Sequence, residues 1–353
     1  MNQQKKKVLF FLPPTVGGAE RMTVLIAKML PLDEFEVKFV VVGKTLGNIV
    51  RFIPEGYETR LMRIRGLWDF CTLRLFNLIC KEHPYVAFAS LMYLNARIIW
   101  VSKLLGVRSI VRNNIDLLNA LLQNRLYAKY SYRWADFIIA QQDEMREGII
   151  SYTRAIPSKV VALQNPIDTA LIDEKVKAMS PYEKEDKSIK FVWTARINRS
   201  KGQDVLLKAF DIMRHDMPNC KLYLIGQYDN NDVFYQELRQ YIIENALSEK
   251  VLMTGFDDNP YRWVANADCY VMPSRKEGLP NSLIDAMYLG KPVVATTCIP
   301  VISRIVKDGY NGILIPPDDV DSLVDGMKKA LCLKDFKMTY VGASKDSFIS
   351  LFR

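Results

Sequence analysis

The chain has 353 residues, 49% of them hydrophobic and 25% charged, a balance that supports a buried core and excludes general disorder. That length suits two ordinary domains, and no apolar run approaches the ~18–20 residues needed to cross a bilayer as a helix. The net charge of +9 is uneven: residues 1–165 hold 23 Lys/Arg against 13 Asp/Glu, and residues 166–353 hold 25 against 26, which leaves nucleic acid, an anionic membrane surface, an acidic substrate or a solvated basic face open for the first half.

The opening "MNQQKKK" is basic, but strand-like "VLFFLPP" follows it with no small-residue cleavage site. No leader is read, and a cytoplasmic location is expected. "KKVLFFLPP" (6–14) reads as a buried strand, and Gly17-Gly18 then open the helix "AERMTVLIAKML". Two glycines there let backbone approach a ligand, and a helix start favours an anion; a tight βα turn explains them equally well. "FEVKFVVVG" is the next strand. "VVVGKTLG" (40–47) contains Gly-Lys-Thr, but Lys38 stands where a phosphate loop needs its first glycine, so ATPase chemistry is not expected.

"VAFAS", "RSIVRNN" and "DFIIAQ" read as short strands separated by the helical patterns "ARIIWVSKLLG" and "LLNALLQNRLYAKYSYRWA". The aromatics of "YAKYSYRW" (127–134) fall at helical spacing. They are expected in the core rather than on a nucleic-acid-binding surface, and no nucleic-acid partner is predicted. Strands alternating with helices imply a parallel sheet covered on both faces.

The same grammar restarts after "VVALQNPID" (160–168), which places a domain boundary near Asn165-Pro166. "EKVKAMSPYEKEDKSIK" (174–190) is a charged connection. "KFVWTAR", "KLYLIG", "VLMTG", "CYVMPS", "PVVAT" and "GILIPP" are strands with helices between them. The sequence therefore predicts two doubly wound α/β domains in tandem, with ligands beyond the carboxyl ends of their strands.

Two segments of the second half carry charge where a ligand would sit. "TARINRSKGQD" (194–204) puts Arg196 at a strand end and Lys201 before a helix, a pair suited to a diphosphate. "PSRKEGLPNSLIDAMYLGKPVVAT" (273–296) places Glu277 and Gly278 in the loop beyond the next such strand. Asn281 or Ser282 is expected to cap the following helix, and Asp285 lies one turn in, where a carboxylate can accept bonds from a ribose diol. A capped surface helix with two solvated acids is the plainer reading of that segment. Six scattered cysteines without CxxC spacing and only two histidines, His83 and His215, predict neither a zinc site nor a disulfide framework.

"GGAER", "TARINRSKGQDVLLKAF", "VLMTGFDDNPYRWVANADCYVMPSRKEGLPNSLIDAMYLGKPVVAT" and "DGYNGILIPPDD" resemble the retaining family-4 glycosyltransferases (glycosyl transferases group 1). The resemblance runs from Val8 to about Leu331 and is most specific from Leu252 to Pro317. It implies the GT-B fold: two Rossmann-like domains facing each other across a cleft. An acceptor-side domain would cover 1–165 and a nucleotide-sugar domain 166–335. The tail, 336–353, would cross back to the first domain through a short helix. Arg196, Lys201 and Glu277 are implied as catalytic residues, the two cations gripping the donor diphosphate. Gly17, Gly18, Asn113, Gly278, Leu279, Pro280, Asn281 and Asp285 are implied to bind the donor, with Leu279 offering an N–H that Pro280 lacks.

The implied reaction moves a hexosyl unit, with retention, from a nucleotide-diphosphate sugar (UDP favoured) to a saccharide or polyprenyl-linked acceptor in surface polysaccharide assembly, with no metal or other cofactor. Peripheral association with an anionic membrane, at the inner face of the cytoplasmic membrane, is expected from the basic first half, including "RLMRIRGLW" (60–68). A UDP-sugar epimerase on the same scaffold is one alternative, against which the scarcity of histidine counts; a non-catalytic partner subunit is another, kept open by two departures. Asp285 stands where the family has glutamate, and "VRNNID" offers Arg112 and Asn113 in place of a histidine.

Overall fold

The computed structural model describes residues 4–64, 71–115, 117, 120–334 and 337–353. The chain forms two compact bodies, one of Met1–Pro166 with Gly342–Arg353 and one of Ile167–Val341.

In the first body the strands are β1 (Lys6–Leu12), β2 (Phe35–Gly43), β3 (Glu58–Arg63), β4 (Val86–Ala89), β5 (Arg108–Arg112), β6 (Phe137–Ala140) and β7 (Val160–Ala162). Among the described residues they make one parallel sheet in the order β3-β2-β1-β4-β5-β6-β7. β1 and β2 are near-continuous apolar runs because helices cover both sheet faces. Phe10 of β1 sits in register with Phe39 and Phe88 on its two neighbours, and all three rings are fully buried.

The terminal helix Lys345–Phe352 completes this core. Ser344 caps it by accepting from the Ser347 N–H at 3.2 Å. Phe352 lies 5.7 Å from the Phe10 ring and 5.9 Å from the Phe88 ring.

The second body has strands β8 (Ile189–Thr194), β9 (Cys220–Ile225), β10 (Val251–Gly255), β11 (Cys269–Met272), β12 (Val293–Thr296) and β13 (Gly312–Ile315). They form a second parallel sheet in the order β10-β9-β8-β11-β12-β13. The charged connection after Pro166 is partly built into this body: Thr169–Lys175 is a short helix capped by Asp168. Tyr182 packs edge-on against Tyr223 and Trp263 and donates its hydroxyl to the Trp263 carbonyl at 2.9 Å.

Two strands escape the hydrophobic pattern. β3 is an edge strand, ETRLMR, with one buried residue, and it occupies part of the segment read as a basic surface; the rest of that segment, 65–68, lies outside the described residues. β7 is only three residues long, too short to show an alternation.

Candidate active site

The order of the second sheet places the site. From β8 the chain winds outward to β9 and β10, then returns to add β11 on the other side of β8. The loops after β8 and β11 therefore leave adjacent strands in opposite directions, and the crevice between such loops is where doubly wound sheets take ligands.

The loop after β8 ends in a 3₁₀ turn, Arg199–Lys201, capped by Asn198, whose side chain accepts from the Ser200 N–H at 2.9 Å. The next residue, Gly202, is left-handed (φ 69°), and a Cβ there would stand 2.0 Å from the Pro273 carbonyl oxygen. Only glycine lets the two loops come this close.

Arg275 locks them together. Its guanidinium donates to both Asp204 carboxylate oxygens at 2.8 Å and to the Arg199 carbonyl at 2.6 Å. Its Nε donates to Asp318 at 2.6 Å, and its backbone N–H to the Ser200 carbonyl at 2.8 Å. Burial alone would raise the Asp204 carboxyl, but the Arg275 guanidinium outweighs it and holds the group below its usual range.

Inside this frame Lys201 meets Glu277. The ammonium lies 2.7 and 2.8 Å from the two carboxylate oxygens. Ser274 Oγ donates to the same carboxylate at 2.7 Å. The Glu277 side chain is 8% exposed and that of Lys201 26%, so the pair is held from below and open from above. An ammonium has three donors, and two are spent on Glu277. One remains for an incoming anion. Thr296 donates to the Ser274 carbonyl and fixes the loop from the next strand. Cys298 lies near enough to feel both charges, and burial pushes its thiol up to about 11.

Arg196 is exposed. Its carbonyl accepts from Gln203 Nε2 at 3.0 Å, while its guanidinium has no partner among the described residues. The structure thus places Arg196 on the same loop as Lys201 but leaves it outside the Lys201–Glu277 pair.

The helix beyond Glu277 runs from Asn281 to Tyr288 and begins at Pro280, without a side-chain cap. The expected cap by Asn281 or Ser282 is corrected: both lie inside the helix, and the Asn281 N–H donates back to the Leu279 carbonyl at 3.0 Å. The Leu279 N–H has no acceptor among the described residues, whereas Pro280 has none to offer. Asp285 is half-buried on this helix and lies close to Tyr270 of β11. Burial pushes the Tyr270 hydroxyl far above its ordinary value, and the charges of Asp285 and Glu277 add to it. That hydroxyl pairs with Thr194 Oγ1 at 3.1 Å.

The candidates of the first body fare differently. Gly17 and Gly18 do lie at the carboxyl end of β1, where Gly17 precedes the helix Gly18–Met29. The buried Glu20 carboxylate turns back on them, so close that a Cβ on Gly17 would be 2.7 Å from Glu20 Oε2. That negative charge opposes an anion at this helix start.

Asn113, implied by the resemblance to contact the donor, directly follows β5 in the first body. It is fully buried. Its Nδ2 donates to the Ile115 carbonyl at 2.6 Å and its Oδ1 accepts from Tyr132 at 2.9 Å. Arg112 is buried beside it, donating to Asn114 and Asn165, while Asn114 donates to the Ser90 carbonyl. This network ties β5 to its neighbours.

Among the described residues no group of three or more His, Cys, Asp or Glu side chains is placed to hold a metal ion, and no helix is long and apolar enough to cross a membrane.

Residues 188–332 match the family model for glycosyl transferases group 1. The matched residues lie within the second body, Ile167–Val341. An uncharacterized glycosyltransferase of Methanocaldococcus jannaschii is 29% identical over 204 residues, which is 56% of this chain and 46% of that protein, so the chain matches about half of that relative's length. An N-acetylgalactosamine-N,N'-diacetylbacillosaminyl-diphospho-undecaprenol 4-alpha-N-acetylgalactosaminyltransferase of Campylobacter jejuni is 28% identical, covering 93% of this chain and 91% of its own. Among solved structures, Anabaena HepE in complex with UDP and glucose superimposes with a TM-score of 0.78 at 18% identity over 92% of each chain. That likeness shows the GT-B fold.

Within the second body, the residues that sequence reasoning missed are Asp204, Ser274, Arg275 and Thr296. Arg275 stood in the open, in "PSRKEG", but only the fold reveals Asp204 as its partner.

Proposed function

We propose that the chain is a retaining glycosyltransferase that moves a hexosyl unit from a nucleotide-diphosphate sugar, with UDP favoured, to a lipid-linked saccharide in surface polysaccharide assembly. The observation that carries this is the Lys201–Glu277 pair, set at the crevice between the β8 and β11 loops with one ammonium donor unspent. The Campylobacter relative's name gives a diphospho-undecaprenol acceptor, and the Anabaena structure's title gives UDP with glucose; both support the reading.

In this proposal Arg196 and Lys201 neutralise the charge that builds on the departing diphosphate, so the role falls to preorganised cations rather than a metal. The Leu279 N–H and the neighbouring Gly278 and Pro280 line the phosphate and sugar. Asp285 receives the ribose hydroxyls. Glu277 aligns Lys201 and faces the donor sugar. The leaving diphosphate takes the acceptor proton on the face it departs from, which gives retention without a dedicated protein base. The site works at the cytoplasmic face of a membrane.

The test is thermal stabilisation by a panel of UDP-, GDP- and ADP-sugars. A ligand at 100 times its Kd adds about 2.7 kcal/mol. A UDP-sugar is expected to raise the melting temperature of the wild type and to act less on Arg196→Ala. Absence of stabilisation by every member of the panel rejects the reading, and stabilisation by a GDP-sugar alone rejects the UDP assignment.

A further inference from the structure

The outer face of two adjacent helices in the first body serves neither its core nor the candidate site. Residues 91–134 hold seven Lys/Arg and a single acid, Asp116. Of the 22 large hydrophobic residues exposed among the described residues, nine fall between 93 and 134. The expectation that the aromatics of "YAKYSYRW" are core is corrected here: Tyr132 is buried, but Tyr130 and Trp134 are exposed.

The helix Leu122–Ser131 explains the difference by its spacing. Leu122, Leu126 and Tyr130 recur every fourth residue and are 67%, 40% and 57% exposed, so they form one stripe. Lys129 and Arg133 flank the stripe on the same arc. Ala128 and Ser131 turn to the core. On the neighbouring helix, Met92–Leu105, Trp100 and Leu104 are exposed one turn apart, and Arg97 stands a turn before them. The Arg97 guanidinium lies 5.9 Å from the Tyr127 ring of the first helix, so the two faces are continuous.

None of Arg97, Lys103, Arg125, Lys129 and Arg133 pairs with a carboxylate among the described residues. Arg125 and Lys129 lie over the Tyr152 ring, and Arg133 over Trp134. A contiguous exposed apolar stripe marks an interaction surface. Aliphatic residues for an acyl boundary, Trp and Tyr for a headgroup layer, and unpaired cations for lipid phosphates together fit an interfacial site.

We propose that this face docks the protein on an anionic lipid bilayer. A second copy fits less well, because a two-fold contact would press these cations against their own kind. A nucleic acid would leave Leu104 and Leu122 without a partner. Docking here lays the first body along the membrane, from Leu122 at the carboxyl-end side of its sheet to Leu104 at the opposite side. The inference is independent of the donor assignment, since its test involves no transfer.

The test is co-sedimentation of the full chain with vesicles of phosphatidylcholine containing about 40 mol% phosphatidylglycerol, and with pure phosphatidylcholine, at about 0.15 M and 0.5 M salt. The wild type is expected to bind the anionic vesicles at least about tenfold more tightly than the neutral ones, and to weaken with salt. Lys129→Glu/Arg133→Glu and Leu122→Ser/Leu126→Ser should each weaken binding at least about tenfold. Val233→Ser, at an exposed apolar residue of the second body, should not. All five positions are solvent-exposed, and melting temperatures check that the variants fold; the wild-type lipid and salt series needs no variant. Wild type left in the supernatant with anionic vesicles overturns the proposal. So does undiminished binding by both double variants, or a dimer that they dissociate without any vesicle binding by the wild type.

Discussion

Lys201 and Glu277 lie 76 residues apart in the chain, yet the Lys201 ammonium sits 2.7 and 2.8 Å from the two Glu277 carboxylate oxygens. Removing either partner leaves the other misplaced. Lys201→Ala strands a nearly buried carboxylate, which costs about 1–3 kcal/mol of stability. Glu277→Ala frees the ammonium to swing away from the crevice. Each single change is expected to lower kcat/KM for transfer by a factor of about 100 or more, and the double variant by little more than either, because groups acting as a unit are not additive. Steady-state kinetics on the three variants checks this; independent, multiplying losses would show that the two residues do not act together.

Arg196 provides the contrasting case. It is exposed and its guanidinium contributes nothing to the fold, so Arg196→Ala should leave the melting temperature within the ±0.5 kcal/mol typical of surface changes while abolishing transfer. Titration with a UDP-sugar should show donor affinity reduced about tenfold or more. Full activity in this variant would remove Arg196 from the site and leave Lys201 alone to meet the diphosphate.

How much of this was legible in the sequence depends on which forces placed each residue. The alternation of apolar strands with helical patterns located most strands of both sheets, since burial on both faces makes such strands read as continuous runs such as Phe39–Val42. β3 escaped because an edge strand faces solvent. The Lys201 and Glu277 segments stood out as charges at strand ends, a local signal. Their union is not local: it needs the strand order that sets β8 beside β11. The surroundings of Asn113 were hidden for a related reason. The resemblance marks its place in "VRNNID", and only tertiary packing shows its amide bonded to Tyr132 and Ile115.

The burial of Asn113 makes its own prediction. Asn113→Ala removes the acceptor for the Tyr132 hydroxyl inside a buried network and should destabilise the protein by about 1–3 kcal/mol. Donor KM should not change in the protein that remains folded. Denaturant unfolding and kinetics, run side by side, distinguish the roles. A raised donor KM with unchanged stability would make Asn113 a donor contact rather than a structural residue.

Gly202 and Arg275 hold the β8 and β11 loops in register by different means. Gly202→Ala forces a Cβ into the Pro273 carbonyl at a left-handed position and should lower stability by about 2 kcal/mol or more. Arg275→Lys keeps the charge but loses the two parallel bonds to Asp204, since an ammonium does not reproduce the guanidinium fork. Its expected signature is a raised donor KM with a smaller change in kcat. If Arg275→Lys matches the wild type in both, the tie between the loops is not what orders the site.

Acid stability offers a prediction that is independent of the site. Asp186, just ahead of β8, accepts from the Ser188 N–H at 2.9 Å and from Lys221 Nζ at 3.0 Å. Ser188 and Lys221 together outweigh burial and hold its carboxyl well below the usual range. A carboxyl whose pKa is lower in the folded chain contributes stability that is fully present above its unfolded value, about 3.9. The contribution drains away as pH falls below that value toward the folded one. Asp186→Asn should therefore be less stable than wild type near neutrality, by about 1–3 kcal/mol, and the gap should narrow as pH falls from about 4 toward 2. Denaturant melts of both proteins across that range measure it, with transfer activity at pH 7 expected unchanged because Asp186 lies at the amino end of β8, opposite the loops of the candidate site. A gap that stays constant with pH would mean that the Asn substitution acts through packing and not through the lost charge.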